Sequence, residues 1–148
     1  MSQVQSLIML VNSMSLPEKK AFRIKLRQGR TQSNYLVLYN LIEKNGSGNI
    51  SGLKNQFRKE RPGAAFETSA RYLYNMILSS LLSLNKDHDN LFSLFNLIFS
   101  ARILYEKSMF TECFNLLQEA MSLAEKYENY YAFLLASRME LEYLLALN

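Results

Sequence analysis

The chain has 148 residues, 49% of them hydrophobic, and only 5 glycines and 2 prolines, which suits one domain or two small ones with few loops. Its net charge of +4 is uneven: residues 1–89 hold 13 Lys and Arg against 6 Asp and Glu, and residues 90–148 hold 4 against 7. A basic front followed by a mildly acidic back is compatible with an anionic partner for the front half, and the Leu-rich composition excludes a largely β fold.

In chain order, residues 4–14 predict a short helix through Val4, Leu7, Ile8 and Val11. Ser15-Leu16-Pro17-Glu18 then reads as a helix start, with serine as N-cap, proline in the first turn and a glutamate that completes a capping box. In the helix over 18–27, Ala21, Phe22, Ile24 and Leu26 are expected to face inward, while Lys19, Lys20, Arg23 and Arg27 share an outer arc. Gly29 is expected to end it.

A third helix, over 33–44, carries Leu36, Leu38, Tyr39, Leu41 and Ile42, dense enough to imply neighbours on more than one side. Asn45-Gly46-Ser47-Gly48 stops it. Ser51 is expected to cap a shorter helix to residue 58, with Ile50, Leu53 and Phe57 buried. After the charged, proline-broken loop 58–63, a long helix over 66–84 reads as apolar nearly all round. The polar stretch 85–90 is the clearest boundary, and the expected division is 1–86, a basic helical domain, and 87–148, a helical repeat region.

Residues 97–127 organise the second half. Two helices flank a reversal at Lys107-Ser108-Met109, and small residues (Ala101, Cys113, Ala120) among large ones let two backbones approach closely. Thr111 is expected to cap the second of these helices. Glu128-Asn129 marks another reversal, and a last helix from residue 130 carries Phe133, Leu134, Leu141, Leu144 and Leu145.

The positions Leu97, Ala101, Leu104, Phe110, Cys113, Leu117 and Ala120 together resemble one tetratricopeptide (TPR) repeat, whose length is about 34 residues. Ser108 stands where the family's turn glycine usually is, and Glu125 where its closing proline usually is. The general layout also looks like bacterial TPR-containing proteins. The resemblance implies an all-α fold of antiparallel helical hairpins stacked in a right-handed superhelix. Such arrays present a concave face of first helices to a partner peptide or helix. Because solenoids need a polar outer cap, the end at Leu147-Asn148 predicts that the chain continues into a longer repeat protein.

On that reading the partner-binding residues are Asn96, Phe99, Arg102 and Ile103, with Arg138 on the next helix. Charge reversal at Arg102 and Arg138 is expected to weaken partner capture without lowering the melting temperature. A second copy of the chain, joined through the C-terminal helix, is a further expected partner.

The alternative function is binding of DNA or RNA through Lys19, Lys20, Arg23 and Arg27. Residues 35–84 superficially resemble a winged helix-turn-helix, in which the helix carrying Arg71 would enter the major groove. Against that, Tyr72, Leu73, Met76, Ile77 and Leu78 leave it little polar face, and no strand-turn-strand wing follows.

No catalytic constellation is present. Cys113 holds a small-residue packing position, one histidine (His88, flanked by Asp87 and Asp89) leaves little scope for a metal, and a single cysteine forms no internal disulfide. Gly46-Ser47-Gly48 lacks the Gly-Lys-Ser/Thr ending of a phosphate loop. The chain is therefore read as a non-enzyme, with no cofactor and no metal. Neither the N-terminus nor the segment 91–105 has the pattern of a secretory signal or a membrane span, so the expected setting is cytoplasmic, without a membrane partner.

Overall fold

The structure is a computed structural model and describes residues 2–27, 34–46, 48–85 and 89–147. Among the described residues the fold is all-α. It comprises α1 (Gln3–Ser13), α2 (Leu16–Arg27), α3 (Asn34–Asn45), α4 (Ile50–Glu60), α5 (Phe66–Asn85), α6 (Asn90–Glu106), α7 (Phe110–Lys126) and α8 (Tyr130–Leu147). Two compact units result, Met1–Ser83 and Leu84–Asn148, each with its own apolar core.

In the first unit the helix starts are written locally. Ser2 and Gln5 form one capping box at α1: the Gln5 amide donates to Ser2 Oγ at 3.3 Å, and the Ser2 amide to Gln5 Oε1 at 2.8 Å. Ser15 and Glu18 form the expected second box, the Ser15 amide donating to Glu18 Oε2 at 2.7 Å and the Glu18 amide to Ser15 Oγ at 3.4 Å. The α4 cap lies two residues earlier than expected. Asn49 accepts the Ser51 amide at 2.9 Å, so Ser51 is inside the helix. An Asx side chain reaches an amide two residues on, which suits Asn49 to this role.

Helix α3 is central to this unit, packing against α1, α2 and α4. Its Leu38, Tyr39 and Ile42 are fully buried, as are Leu7, Val11, Phe22, Phe57, Leu73 and Ile77 around it. Phe22 meets Tyr39 edge to face, with ring centroids 5.2 Å apart. Gly46 ends α3 with a φ of 57°, a left-handed value that costs glycine least, and its amide donates to the Ile42 carbonyl at 3.0 Å. The expected stops and starts at Gly29, Ser33 and Ser47 lie outside the described residues.

One expectation about faces needs correction. Ile24 was expected inside but is half exposed, because Phe22 and Leu26 alone occupy the inward positions of α2. On α5, Leu73 and Ile77 turn inward, and a narrow outward strip of Thr68, Arg71, Asn75 and Ser79 is polar. Exposed Tyr72, Leu78 and Leu82 flank that strip, so α5 is apolar over most of its circumference. The α5 polar strip meets no wing, since no strand occurs among the described residues.

In the second unit α6 begins at Asn90, earlier than expected, because Asp89 caps it by accepting the Leu91 amide at 2.7 Å. The 85–90 stretch is therefore divided, Asn85 closing α5 and Asp89 opening α6. Two identical reversals follow. At the first, the Met109 amide donates to the Leu104 carbonyl at 2.9 Å and the Ser108 amide to Tyr105 at 2.9 Å. At the second, Asn129 donates to Ala124 at 2.8 Å and Glu128 to Glu125 at 3.0 Å. This is the Schellman pattern, and Ser108 and Glu128 take its left-handed position with φ of 60° and 53°.

Beyond the second turn, Asn129 caps α8 by accepting the Ala132 amide at 3.1 Å. Thr111 does not cap α7: the cap position is Met109, which supplies no side-chain acceptor. Helices α7 and α8 run antiparallel. Gln118 donates to Glu140 and Ser137 to the Met121 sulfur, so three residues forward on α7 is three back on α8. Ala101, Cys113, Ala120, Ala124, Ala132 and Ala136 are all fully buried, which permits this close approach.

Candidate functional site

The core of the second unit mixes large residues (Leu94, Ile98, Leu117 and Tyr143) with small ones, and on α8 the inward positions other than Tyr143 are the small Ala132 and Ala136. Of the large apolar side chains on α8, Tyr143 is buried. Tyr131, Leu134, Leu141 and Leu145 are 59% to 88% exposed. With Arg138 they recur at steps of three and four residues, a single stripe along the outer face of the helix. Leu134, Leu141 and Leu145 of this stripe are among the large apolar residues expected on the last helix; Tyr131 is not.

Helix α6 presents a matching outward set. Phe99 and Ile103 are 62% and 57% exposed, and Asn96 and Arg102 are exposed beside them. All four expected groove residues of α6 therefore face outward, and neighbouring helices do not cover Phe99 or Ile103. The Phe99 ring leans on Phe95 with centroids 6.1 Å apart.

Arg102 links α6 to α8. Its Nη1 donates to the Tyr143 hydroxyl at 3.3 Å and its Nε to Glu106 at 3.0 Å. The Tyr143 hydroxyl first, and Glu106 after it, raise the guanidinium's affinity for its proton. Reversing its charge would break both bonds and place two carboxylates one turn apart. The bond to Tyr143 gives Arg102 a link between two helices beside its expected place in the groove. Arg138 is different: it donates only within its own helix, to Glu142 at 2.8 Å.

The basic residues of the first unit are brought together on α2. Lys19, Lys20, Arg23 and Arg27 line an open cleft of about 420 Å³ with Leu16, Ile24 and Glu43. Arg23 is tied across to Glu43 of α3, whose other carboxylate oxygen accepts the Tyr39 hydroxyl at 3.2 Å. Leu16 and Glu43 were not singled out in the sequence. Leu16 was read only as part of the Ser15-Leu16-Pro17-Glu18 helix start. Elsewhere, Lys54 is committed to Glu67 at 2.8 Å and lies 5.7 Å from the Phe66 ring centre.

Reactive chemistry is sparse. Cys113 is buried, and burial pushes its thiol up, away from the thiolate that a nucleophile needs. Among the described residues no three His, Cys, Asp or Glu gather as metal ligands, and no helix is long and apolar enough to cross a membrane. His88 and Asp87 lie outside the described residues. Compared with models of protein families, with curated proteins and with solved structures, the chain matches none.

Proposed function

We propose that the protein is a non-enzymatic interaction module whose second unit takes up a peptide or helix of a partner protein. The α6–α8 helices serve as a TPR-like scaffold, and Asn96, Phe99, Ile103 and Arg138 contact the partner. The observation that carries this reading is the outer stripe of α8, with Tyr131, Leu134, Leu141 and Leu145 largely in solvent. A contiguous apolar surface of this kind is costly to leave bare and marks interaction sites. Arg138 at its centre and Phe99 on α6 are residue types that anchor interfaces.

Nucleic-acid binding is the second reading, favoured by Lys19, Lys20, Arg23 and Arg27, which line one cleft of α2. It predicts a binding constant that falls steeply with salt.

Peptides selected from a displayed library against the whole chain provide the test, with calorimetry on the selected sequence. Phe99→Ala with Ile103→Ala, and separately Arg138→Glu, are expected to weaken binding about tenfold or more while the melting temperature holds. Selected peptides indifferent to both variants would refute the reading.

A further inference from the structure

We propose that the cleft along α2 receives an acidic amphipathic helix from a partner protein, at a surface separate from the one on α6 and α8.

The cleft has the relief that a helix needs. Leu16, Lys20 and Ile24 stand four residues apart, and so do Lys19, Arg23 and Arg27. These are two adjacent rows at the i, i+4 spacing, and the groove between such rows is where the side-chain ridge of a second helix settles. Both rows contribute to the lining of the one cleft, with Glu43 of α3 on its far side.

The cleft's apolar residues are surplus to the core. Leu16 is 83% exposed and Ile24 52% exposed, although α2 already buries Phe22 and Leu26. A helix that only needed to be solvated would carry polar side chains at these two places. Two aliphatic side chains two turns apart match a partner ridge of Leu, Ile, Met or Phe at the same spacing.

Charge decides the rest of the partner. Arg23 is neutralised by Glu43, and Glu18 is occupied by the Ser15 cap. Among the described residues, Lys19, Lys20 and Arg27 have no carboxylate partner. A ligand with Asp and Glu flanking its apolar ridge would satisfy these cations and cover Leu16 and Ile24 together. A phosphate backbone would meet the cations but leave both aliphatic side chains wet. The chemistry therefore favours an acidic helix over nucleic acid.

Fluorescence anisotropy on the whole chain tests this with three probes. They are an acidic peptide about four turns long with Leu at i and i+8, its scrambled isomer, and a DNA duplex about two turns long. The amphipathic peptide is expected to bind about tenfold tighter than its isomer. Lys19→Glu with Lys20→Glu should abolish that binding. Leu16→Ser with Ile24→Ser should weaken it about tenfold without lowering the melting temperature, since both side chains are already exposed. Equal binding of the isomer, tighter binding of the duplex that only the lysine changes affect, or no peptide binding would each overturn the proposal. Failure here leaves the α6 and α8 surface untouched, because its test uses other residues.

Discussion

Tyr105 of α6 and Tyr143 of α8 lie face to face, their ring centroids 3.8 Å apart and their planes 11° from parallel. Two helices that each pack mainly on α7 are thereby joined directly. Tyr143 also receives the Arg102 hydrogen bond, so one buried side chain holds both aromatic and polar links. Tyr143→Ala is expected to cost about 3–5 kcal/mol, the range for emptying an aromatic site. Tyr143→Phe keeps the stack and loses only the hydroxyl. Denaturant unfolding should therefore show a large loss for the first change and a small one for the second. Comparable losses for both would mean that the hydroxyl, not the ring, dominates.

The paired turns differ from the usual sequence in an informative way. Ser108 and Glu128 both hold left-handed backbone that glycine adopts more readily. Ser108→Gly is expected to stabilise the second unit by about 0.5–1 kcal/mol. Met109 offers no cap where Asn129 does at the equivalent place in the next turn. Met109→Asn should add about 1 kcal/mol. Thermal melts of both variants provide the check, and a fall in melting temperature for either would contradict this account of the turns.

Close helix approach depends on small side chains that have no room to grow. Ala120 and Ala136 are fully buried. Replacing either with Leu should cost about 1–3 kcal/mol through overpacking. By contrast, Leu134→Ala on the exposed stripe should change stability by less than about 0.5 kcal/mol. Urea midpoints of the three variants distinguish these cases, and a large loss for Leu134→Ala would show that its side chain is part of the core.

Alkaline pH should weaken the first unit through Tyr39. Burial, followed by the Glu43 carboxylate, pushes its hydroxyl well above the ordinary tyrosine value of about 10. A raised folded-state value means that the unfolded chain loses the proton first. The contribution is thus complete below about pH 10 and declines as pH rises beyond it. Between pH 9 and 11 the melting temperature is expected to fall more in the native protein than in Tyr39→Phe. Parallel curves for the two proteins would contradict the burial of this hydroxyl.

Much of this architecture was legible because local chemistry sets it. The Ser15–Glu18 box, the stop at Gly46 and the reversal at Lys107-Ser108-Met109 depend on residues within one turn of each other. Errors arose where a choice depended on neighbours elsewhere in the chain. Ile24 is the exception. Leu26 stands four residues from Phe22 and shares its buried face, whereas Ile24, two residues away, lies on the other side of α2, a spacing that the sequence reading passed over. On α8 the large residues were seen but not their face, which is set by the buried Ala132 and Ala136. The expected cap at Thr111 failed for another reason: the Schellman turn sets the helix start at Met109, two residues earlier. Arg102 is exposed, as its place in the expected groove requires, but its bond to Tyr143, 41 residues away, has no local signature.

The central claim is that the outward residues of α6 and α8 form the surface that meets a partner protein. The most direct measurement places a photoreactive group on the selected peptide and locates its adducts by mass spectrometry. Adducts are predicted on Phe99 and Ile103 of α6 and on Leu134, Arg138 and Leu141 of α8. Adducts confined to the exposed glutamates of α7 (Glu112 and Glu119), or to residues 2–83, would contradict it.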